Sequence, residues 1–469
     1  MVKKLAVLAG ALMLFHGMAA ALMFEKKAGD LTIAINPNVE LMYTLLQQAD
    51  TSDKLRREEP VPDVRKLFAK YKEHPAVKEL DSDGALSWNK GFEYDAFASF
   101  PLYFSDMPEG KRIYDYKDEF LERILPGMDK AAKIKYLDAY WEKVRDFYNT
   151  AHFADYLAQN AGVYQAYVDT VTAHLPPFDP IKLHEDYHAN KDYRFFLLPS
   201  PLSLPTGGNY GLHFGNDIYD MMGSGFSDED TVAYMTLHEF GHSFCNPVVE
   251  KNAAGLSAYA FLMEGLSDLM ERQAYYDWQT VMYELLVRSV HARLVLKTQG
   301  AQAAEKFLSR QEKNGFVFIR DFYDKLDVYE HNRDKYPTLF EFYPELVKVF
   351  DNWELRMVGE VSPPGLWPIK LPEGIGIQAI DMSRFGYKAG LRLEDSITAI
   401  DGAKPQVNAF DVMKPGKTYL LEVKHKDGSG ETIRFTPPFA RVKRPVRKTD
   451  PVSPDSQKIA QQTQNPDAK

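Results

Sequence analysis

The sequence predicts an α+β protein: a mostly helical N-terminal region, a core in which short strands lead into one long helix, and a small C-terminal β domain. Three observations carry this. Apolar residues recur at helical spacing through 38–47, 64–71 and 132–157. From Tyr193 the period falls to two, in Arg194-Phe-Phe-Leu-Leu198 and Asn209-Tyr-Gly-Leu-His-Phe214, with prolines and Gly207-Gly208 between, as in a hairpin or meander. A proline-rich break, Val361-Ser-Pro-Pro-Gly-Leu-Trp-Pro368, then sets off a stretch of short apolar runs.

In chain order, Lys3 and Lys4 precede an apolar run from Leu5 to Phe15 and the small residues Ala19 to Ala21, the layout of a secretory signal peptide over 1–21. The expected location is therefore periplasmic or secreted. An uncleaved membrane anchor is the alternative, because the apolar stretch reaches Phe24 once His16 is passed over. Residues 22–180 form the helical region, opened by a strand over Asp30–Asn36 and by a helix starting at Asn38 as its cap. Tyr140, Trp141, Phe147 and the other aromatic residues of 132–157 fall at helical spacing and read as core. Residues 181–358 form the central core, 359–439 the β domain, and 440–469, rich in Pro, Gln, Lys and Asp, a disordered tail.

Composition narrows the partners. With 469 residues and 45% hydrophobic content, the chain has ample material for large cores. Its net charge is −10 although the segment 440–469 holds seven Lys or Arg against three Asp, so the body is more acidic still, which argues against nucleic acid. The single cysteine, Cys245, excludes an internal disulfide and reads as a small buried residue at a helix end. The oligomeric state is not legible.

The chemistry gathers at His238-Glu239-Phe240-Gly241-His242. On a helix, positions i and i+4 lie one turn apart on one face, so His238 and His242 can aim two imidazoles at one point, a donor pair that suits one zinc ion. Glu239 stands beside that point and can take a proton from water held there. Ser227 with Asp230 resembles a capping box at the start of this helix, and Asn246-Pro247 is expected to end it. A catalytic zinc site uses three protein ligands and leaves one position for water. Phe261-Leu-Met-Glu-Gly-Leu-Ser-Asp268 offers Glu264 and, one turn on, Asp268. One reading of these is a helix-terminal charge or a salt bridge. The other makes Glu264 the third ligand and Asp268 the acceptor that fixes an imidazole tautomer.

HEFGH followed 22 positions after His242 by Glu264 in an E-x-x-x-D setting resembles the gluzincin, thermolysin-like metallopeptidases. The resemblance implies a mixed sheet over the HExxH helix, with Asn209 to Phe214 as the edge strand that pairs with a peptide substrate. It also implies His238, His242 and Glu264 as zinc ligands, Glu239 as general base, and an oxyanion donor from a later segment, for which His291, Tyr275 and Tyr276 are candidates. The metzincin pattern is excluded, since it needs Gly at 245 and His at 248, where this chain has Cys245 and Val248. Asn38-Val-Glu-Leu-Met42, Tyr71 to Pro75 and the HEFGH helix are also similar to an uncharacterised family of secreted bacterial HExxH proteins.

Beyond the proline-rich break, Gly374-Ile-Gly-Ile377 and Ala389 to Gly402 resemble a bacterial PDZ domain, in which Gly374, Ile375, Gly376 and Ile377 would hold a peptide's terminal carboxylate while the peptide adds a strand. Two departures from that pattern are Glu394, where a glycine is usual, and a short segment at 407–413 in place of a full helix. An exported catalytic domain followed by a PDZ domain is similar to the glycyl aminopeptidases, apart from the helical N-terminal half. The whole implies an exported zinc metallopeptidase acting on peptides or proteins, meeting a membrane only if the N-terminal segment is uncleaved. The alternative is a peptide- or protein-binding module of the cell envelope built on a degenerate metallopeptidase fold.

Overall fold

A strand that is apolar along its length has to be covered on both faces, and Leu31-Thr-Ile-Ala-Ile35 is such a strand. In the computed structural model of the chain it is β2 (Leu31–Ile35), buried at every position. The described residues are 23–49, 63–203, 209–223, 229–361, 364–414 and 416–451. The signal-peptide segment 1–21, Gly207-Gly208, Ser227 and the tail from 452 lie outside them. The chain divides into two compact units, Met1–Pro247 and Val248–Lys469.

In the first unit, β1 (Met23–Ala28) pairs antiparallel with β2, and α1 (Pro37–Ala49) follows. The cap of α1 is Asn36, two residues ahead of the expected position: its Oδ1 accepts from the amides of Asn38 and Val39 at 2.9 and 3.2 Å. Proline at the first helical position, with the capping side chain just before it, is the favoured arrangement. The side chain of Asn38 instead donates to the carbonyl of Ser105 at 3.0 Å. The longer helices that follow are α2 (Lys130–Thr150), α3 (Ala161–Ala173) and α4 (Pro180–His188). The aromatic residues of α2 are core, as their spacing predicts: Trp141 stacks on Phe104 at 4.1 Å.

Three strands complete the sheet: β3 (Arg194–Ser200), β4 (Tyr210–Phe214) and β5 (Asp217–Gly223). The order is β1-β2-β3-β5-β4, with β2, β3 and β5 parallel and both edge strands antiparallel, so the sheet is mixed. Leu31 to Ile33 lie opposite Phe195 to Leu197, so the strand before the helical region and the strand after it are neighbours. The alternation expected across 194–198 is absent, since Phe195 to Ser200 are all buried in a central strand with covered faces. Glu40 ties α1 into this core, accepting from Tyr164 Oη at 3.1 Å and Ser200 Oγ at 2.5 Å.

After the sheet comes α5 (Glu229–Lys251), which carries the HExxH segment. It does not stop at Asn246-Pro247, and Pro247 sits inside it. A proline there removes one backbone hydrogen bond at a cost of about 3 kcal/mol. Burial of Val248 and Val249 just beyond it offsets a similar amount, at roughly 1.5–3 kcal/mol per side chain.

The second unit is built around α6 (Trp278–Gln299), capped by Asp277 Oδ1 on the Thr280 amide at 2.9 Å and packed by α7 (Ala301–Lys313) and α8 (Ile319–Glu330). Next, β6 (Trp353–Val361) and β12 (Phe439–Arg447) form an antiparallel ribbon with Trp353 opposite Arg447 and Val361 opposite Phe439. Residues 440–447, expected to belong to the disordered tail, are therefore part of a strand. Inserted between them is an antiparallel sheet of β7 (Leu366–Lys370), β8 (Ile375–Ile380), β9 (Ser396–Ile400), β10 (Tyr419–Lys424) and β11 (Gly430–Phe435), in the order β11-β10-β9-β8-β7. No helix among the described residues is long and apolar enough to cross a membrane.

The expectation for Gly374 to Ile377 is corrected here. β8 is flanked by β7 and β9, with Ile375 and Gly376 paired on both sides, and the Ile377 amide donates to the Asp395 carbonyl at 2.8 Å. Amides spent inside a sheet cannot hold a peptide's end; the edge strands are β7 and β11.

Leu197, wholly enclosed on central β3, tests the first unit. Leu197→Ala is expected to lower its unfolding free energy by about 2–5 kcal/mol, read from urea denaturation of the full chain.

Candidate metal centre

His238 and His242 project from one face of α5, their ring centroids 4.9 Å apart and the rings nearly perpendicular. Tyr234, one turn earlier, stacks on His238 at 5.3 Å. His242 Nδ1 lies 3.2 Å from Asn246 Oδ1. With Nδ1–H donating to that amide oxygen, Nε2 keeps its lone pair, the tautomer a metal ligand needs. Asn246 thus does for His242 what Asp268 was expected to do for its partner.

Among the described residues, one group of His, Cys, Asp or Glu brings ligand atoms close enough for a metal ion: His238, His242 and Glu284, all within 4.8 Å of one another. Two imidazoles and one carboxylate are the donor set of a three-ligand zinc site, so the residues present fit that ion. The carboxylate in this group is that of Glu284, not Glu264. Glu264 lies in the 3₁₀ segment Ala260–Gly265 with its side chain 57% exposed, and its carboxylate pairs with Lys443 Nζ at 2.8 and 3.0 Å. Asp268 takes both arms of the Arg444 guanidinium at 2.7 and 2.8 Å. Both acids are salt-bridge partners, the plainer of the two readings.

Glu284 had a signal in the sequence. It stands among Val281, Met282, Leu285, Leu286 and Val287 on a helix that is apolar nearly all round, where a charge has no place without a partner or a task. Glu284-x-x-x-Arg288 also fits an ordinary i,i+4 pair, and that local explanation hides the other.

Glu239 is positioned from the sheet. Its Oε2 accepts from the amide of Gly211 on β4 at 2.9 Å. A Cβ at Gly211 would stand 2.3 Å from the Glu239 carbonyl oxygen, so only glycine lets β4 come this close to α5. Across the strand pair from Gly211 is Asp220, fully buried, with neither oxygen hydrogen-bonded among the described residues. Burial, with the Glu239 charge adding to it, holds the Asp220 carboxyl well above the usual carboxylate range.

Behind the metal-facing side of α5, His184 and His188 of α4 stack on Phe244 at 5.5 and 4.6 Å. His184 Nε2 lies 3.3 Å from the Thr236 carbonyl, to which it donates. Burial pushes the His184 imidazole down to about 4. Burial also pushes the Cys245 thiol up, in keeping with a small core residue. Of the oxyanion candidates, His291 is buried with its ring 4.5 Å from that of Phe307, Tyr275 Oη accepts from Arg288 at 3.1 Å, and Tyr276 is largely exposed.

Residues 31–349 match a family defined by a domain of unknown function, DUF4932. The chain belongs to the DUF4932 family. The DUF4932 span contains His238, Glu239, His242 and Glu284 and ends before the β6–β12 ribbon and the C-terminal sheet. Among solved structures, the chain is similar to an aminopeptidase N family protein from Idiomarina loihiensis, at 12% identity and a TM-score of 0.25, with 64% of this chain and 66% of that chain covered. No curated protein matches.

His184 gives a test of the packing behind the centre. Between its ordinary value near 6.5 and about 4, the unfolded chain binds a proton that the folded chain refuses. Stability is therefore whole above that window and falls as pH drops through it, by up to about 1.4 kcal/mol per pH unit for one proton. His184→Phe is expected to flatten this acid-side slope in urea titrations from pH 7 to 4.

Proposed function

We propose that this DUF4932 protein is a zinc-dependent metallopeptidase, with His238, His242 and Glu284 holding one zinc ion and Glu239 as the general base. The observation that carries this reading is the approach of those three donors within 4.8 Å, with Glu239 next to the first. Zinc in such a site supplies a Lewis acid for the scissile carbonyl and makes a water molecule acidic at neutral pH. The chain's own residues would do the rest. Glu239 takes the proton from the attacking water and delivers it toward the leaving amine, a role worth about 10²–10⁴ in rate. The Gly211 amide keeps its carboxylate aimed. β4 is an edge strand, antiparallel to its one neighbour, and an extended peptide could pair with it through backbone hydrogen bonds, making little demand on sequence. Export to the periplasm or beyond belongs to the same reading and rests on the layout of residues 1–21.

One observation favours the rival reading of a peptide-binding module. Beside edge strand β7 lies a cavity of about 510 Å³ lined by Trp367, Pro368, Gln378, Val407, Phe410 and Arg272. A groove between an edge strand and the turn at 406–410 is the place a PDZ-like domain would receive a peptide, in place of the Gly374–Ile377 segment. A peptidase with such an accessory site and a pure binder differ in whether bonds are cut.

Glu239→Gln is expected to retain zinc and lose hydrolysis of a peptide library by at least about 10²-fold. Unchanged turnover would remove the proposed base, and peptide capture without any cleavage in the parent protein would favour the binder. Metal analysis after dialysis separates the two acids: Glu284→Ala is expected to come out metal-free and Glu264→Ala loaded, and the reverse pattern would return the third ligand to Glu264.

A further inference from the structure

In the turn that joins β10 to β11, His425 stands between two acids. Its Nδ1 lies 2.7 Å from Asp395 Oδ1 and its Nε2 lies 3.0 Å from Glu431 Oε1. A neutral imidazole has one N–H and one lone pair, so one of these nitrogens would turn a lone pair on a carboxylate oxygen. Only the imidazolium donates to both. The two acids are held differently. Asp395 comes from the loop ahead of β9 with its side chain 1% exposed, and its Oδ2 accepts from the Arg392 amide at 2.7 Å. Glu431 is 51% exposed on β11, an edge strand whose one neighbour is β10. The cations of the same two segments are Lys424, Lys426, which pairs with Glu394 at 2.6 Å, and Arg392, whose guanidinium donates to the Tyr387 and Leu391 carbonyls at 2.9 and 2.8 Å. Asp427, which accepts from the Ser429 amide at 2.9 Å, adds negative charge near the ring.

We infer that His425 is a pH-sensitive clasp: as an imidazolium it fastens the β10–β11 turn to Asp395 and Glu431 together, and on losing its proton it keeps Asp395 and releases Glu431. Asp395 is the acid retained, because an enclosed carboxylate deprived of a donor is costly, whereas Glu431 can turn to water. The bond to Asp395, and after it the bond to Glu431, holds the imidazole above its ordinary value near 6.5. The closed turn therefore binds the proton more tightly than the open one, so the clasp is whole below about pH 6.5 and is lost as pH rises through the higher value. What it secures is the closing of the turn, where the His425 amide donates to the Ser429 carbonyl at 2.8 Å and the Gly428 amide to the His425 carbonyl at 3.0 Å. The clasp is independent of the zinc reading.

The test uses the full chain. Proton NMR of the histidine ring Cε1–H resonances gives the titration midpoint, with His425 assigned by its absence from His425→Gln, and hydrogen exchange across 425–429 reports how often the turn opens. The midpoint is expected above 6.5. Protection of the turn, after allowance for the intrinsic pH dependence of exchange, is expected to fall as pH rises through that midpoint, by up to about tenfold for each unit the midpoint is raised. Glu431→Gln, whose amide can donate as well as accept, should lower the midpoint and shrink the fall. Asp395→Asn should lower the midpoint further, and Glu431→Gln decides the matter if that variant does not fold. A parent midpoint at or below 6.5, equal protection on both sides of the midpoint, or a Glu431→Gln variant that behaves as the parent does overturns the inference.

Discussion

The cost of enclosing the Glu284 carboxylate on an apolar helix governs the candidate centre. An ionised group of this kind loses several kcal/mol of hydration when buried, and something nearby has to return it. Arg288 returns part, its Nη1 and Nη2 donating also to Gln311 and Tyr275. A divalent cation shared with His238 and His242, neutral when they act as ligands, would return more. Charge, burial and donor geometry agree at this point, which makes Glu284 a different kind of acid from the exposed, ion-paired Glu264.

The placement of Glu239 depends on the sheet. β2, β3 and β5 are covered on both faces, so their register is fixed by burial, and a slip of one residue would carry every side chain to the wrong face. That rigidity passes to β4, whose Gly211 approaches α5 without a side chain and donates to the Glu239 carboxylate. Asp220 sits across the strand pair, and burial favours its neutral form. Two carboxyl groups can therefore lie near α5, because the neutral form of Asp220 spares Glu239 a like-charge neighbour.

In the second unit, two departures from the expectations drawn from sequence have a single cause. The segment from 440 reads as a basic, disordered tail, and Glu264 with Asp268 read as acids in want of a cation. Lys443 and Arg444, on β12, are the cations they pair with, at sequence separations of 179 and 176 residues. Once β12 is laid along β6, the tail's charges and the two acids neutralise each other at a half-exposed surface, and neither is left over for a metal.

The sequence by itself determined whatever depends on neighbours within a few positions. The i,i+4 histidines, the helical spacing of the aromatic core, strands around 194–198 and 209–214 and the proline-rich break before the C-terminal sheet were all readable, because local composition and turn chemistry act over a few positions, although the period of two expected at 194–198 is absent. Tertiary structure decided which carboxylate joins the histidines, which strand is an edge and which is enclosed, and where the chain divides. Each of those depends on which distant segments come together, and a carboxylate's local sequence does not say whether its partner will be a lysine 179 residues away or a pair of imidazoles on another helix. Pro247 shows the same limit within one helix: its missing amide argues for an end, and the burial of Val248 and Val249, which the fold supplies, carries the helix past it.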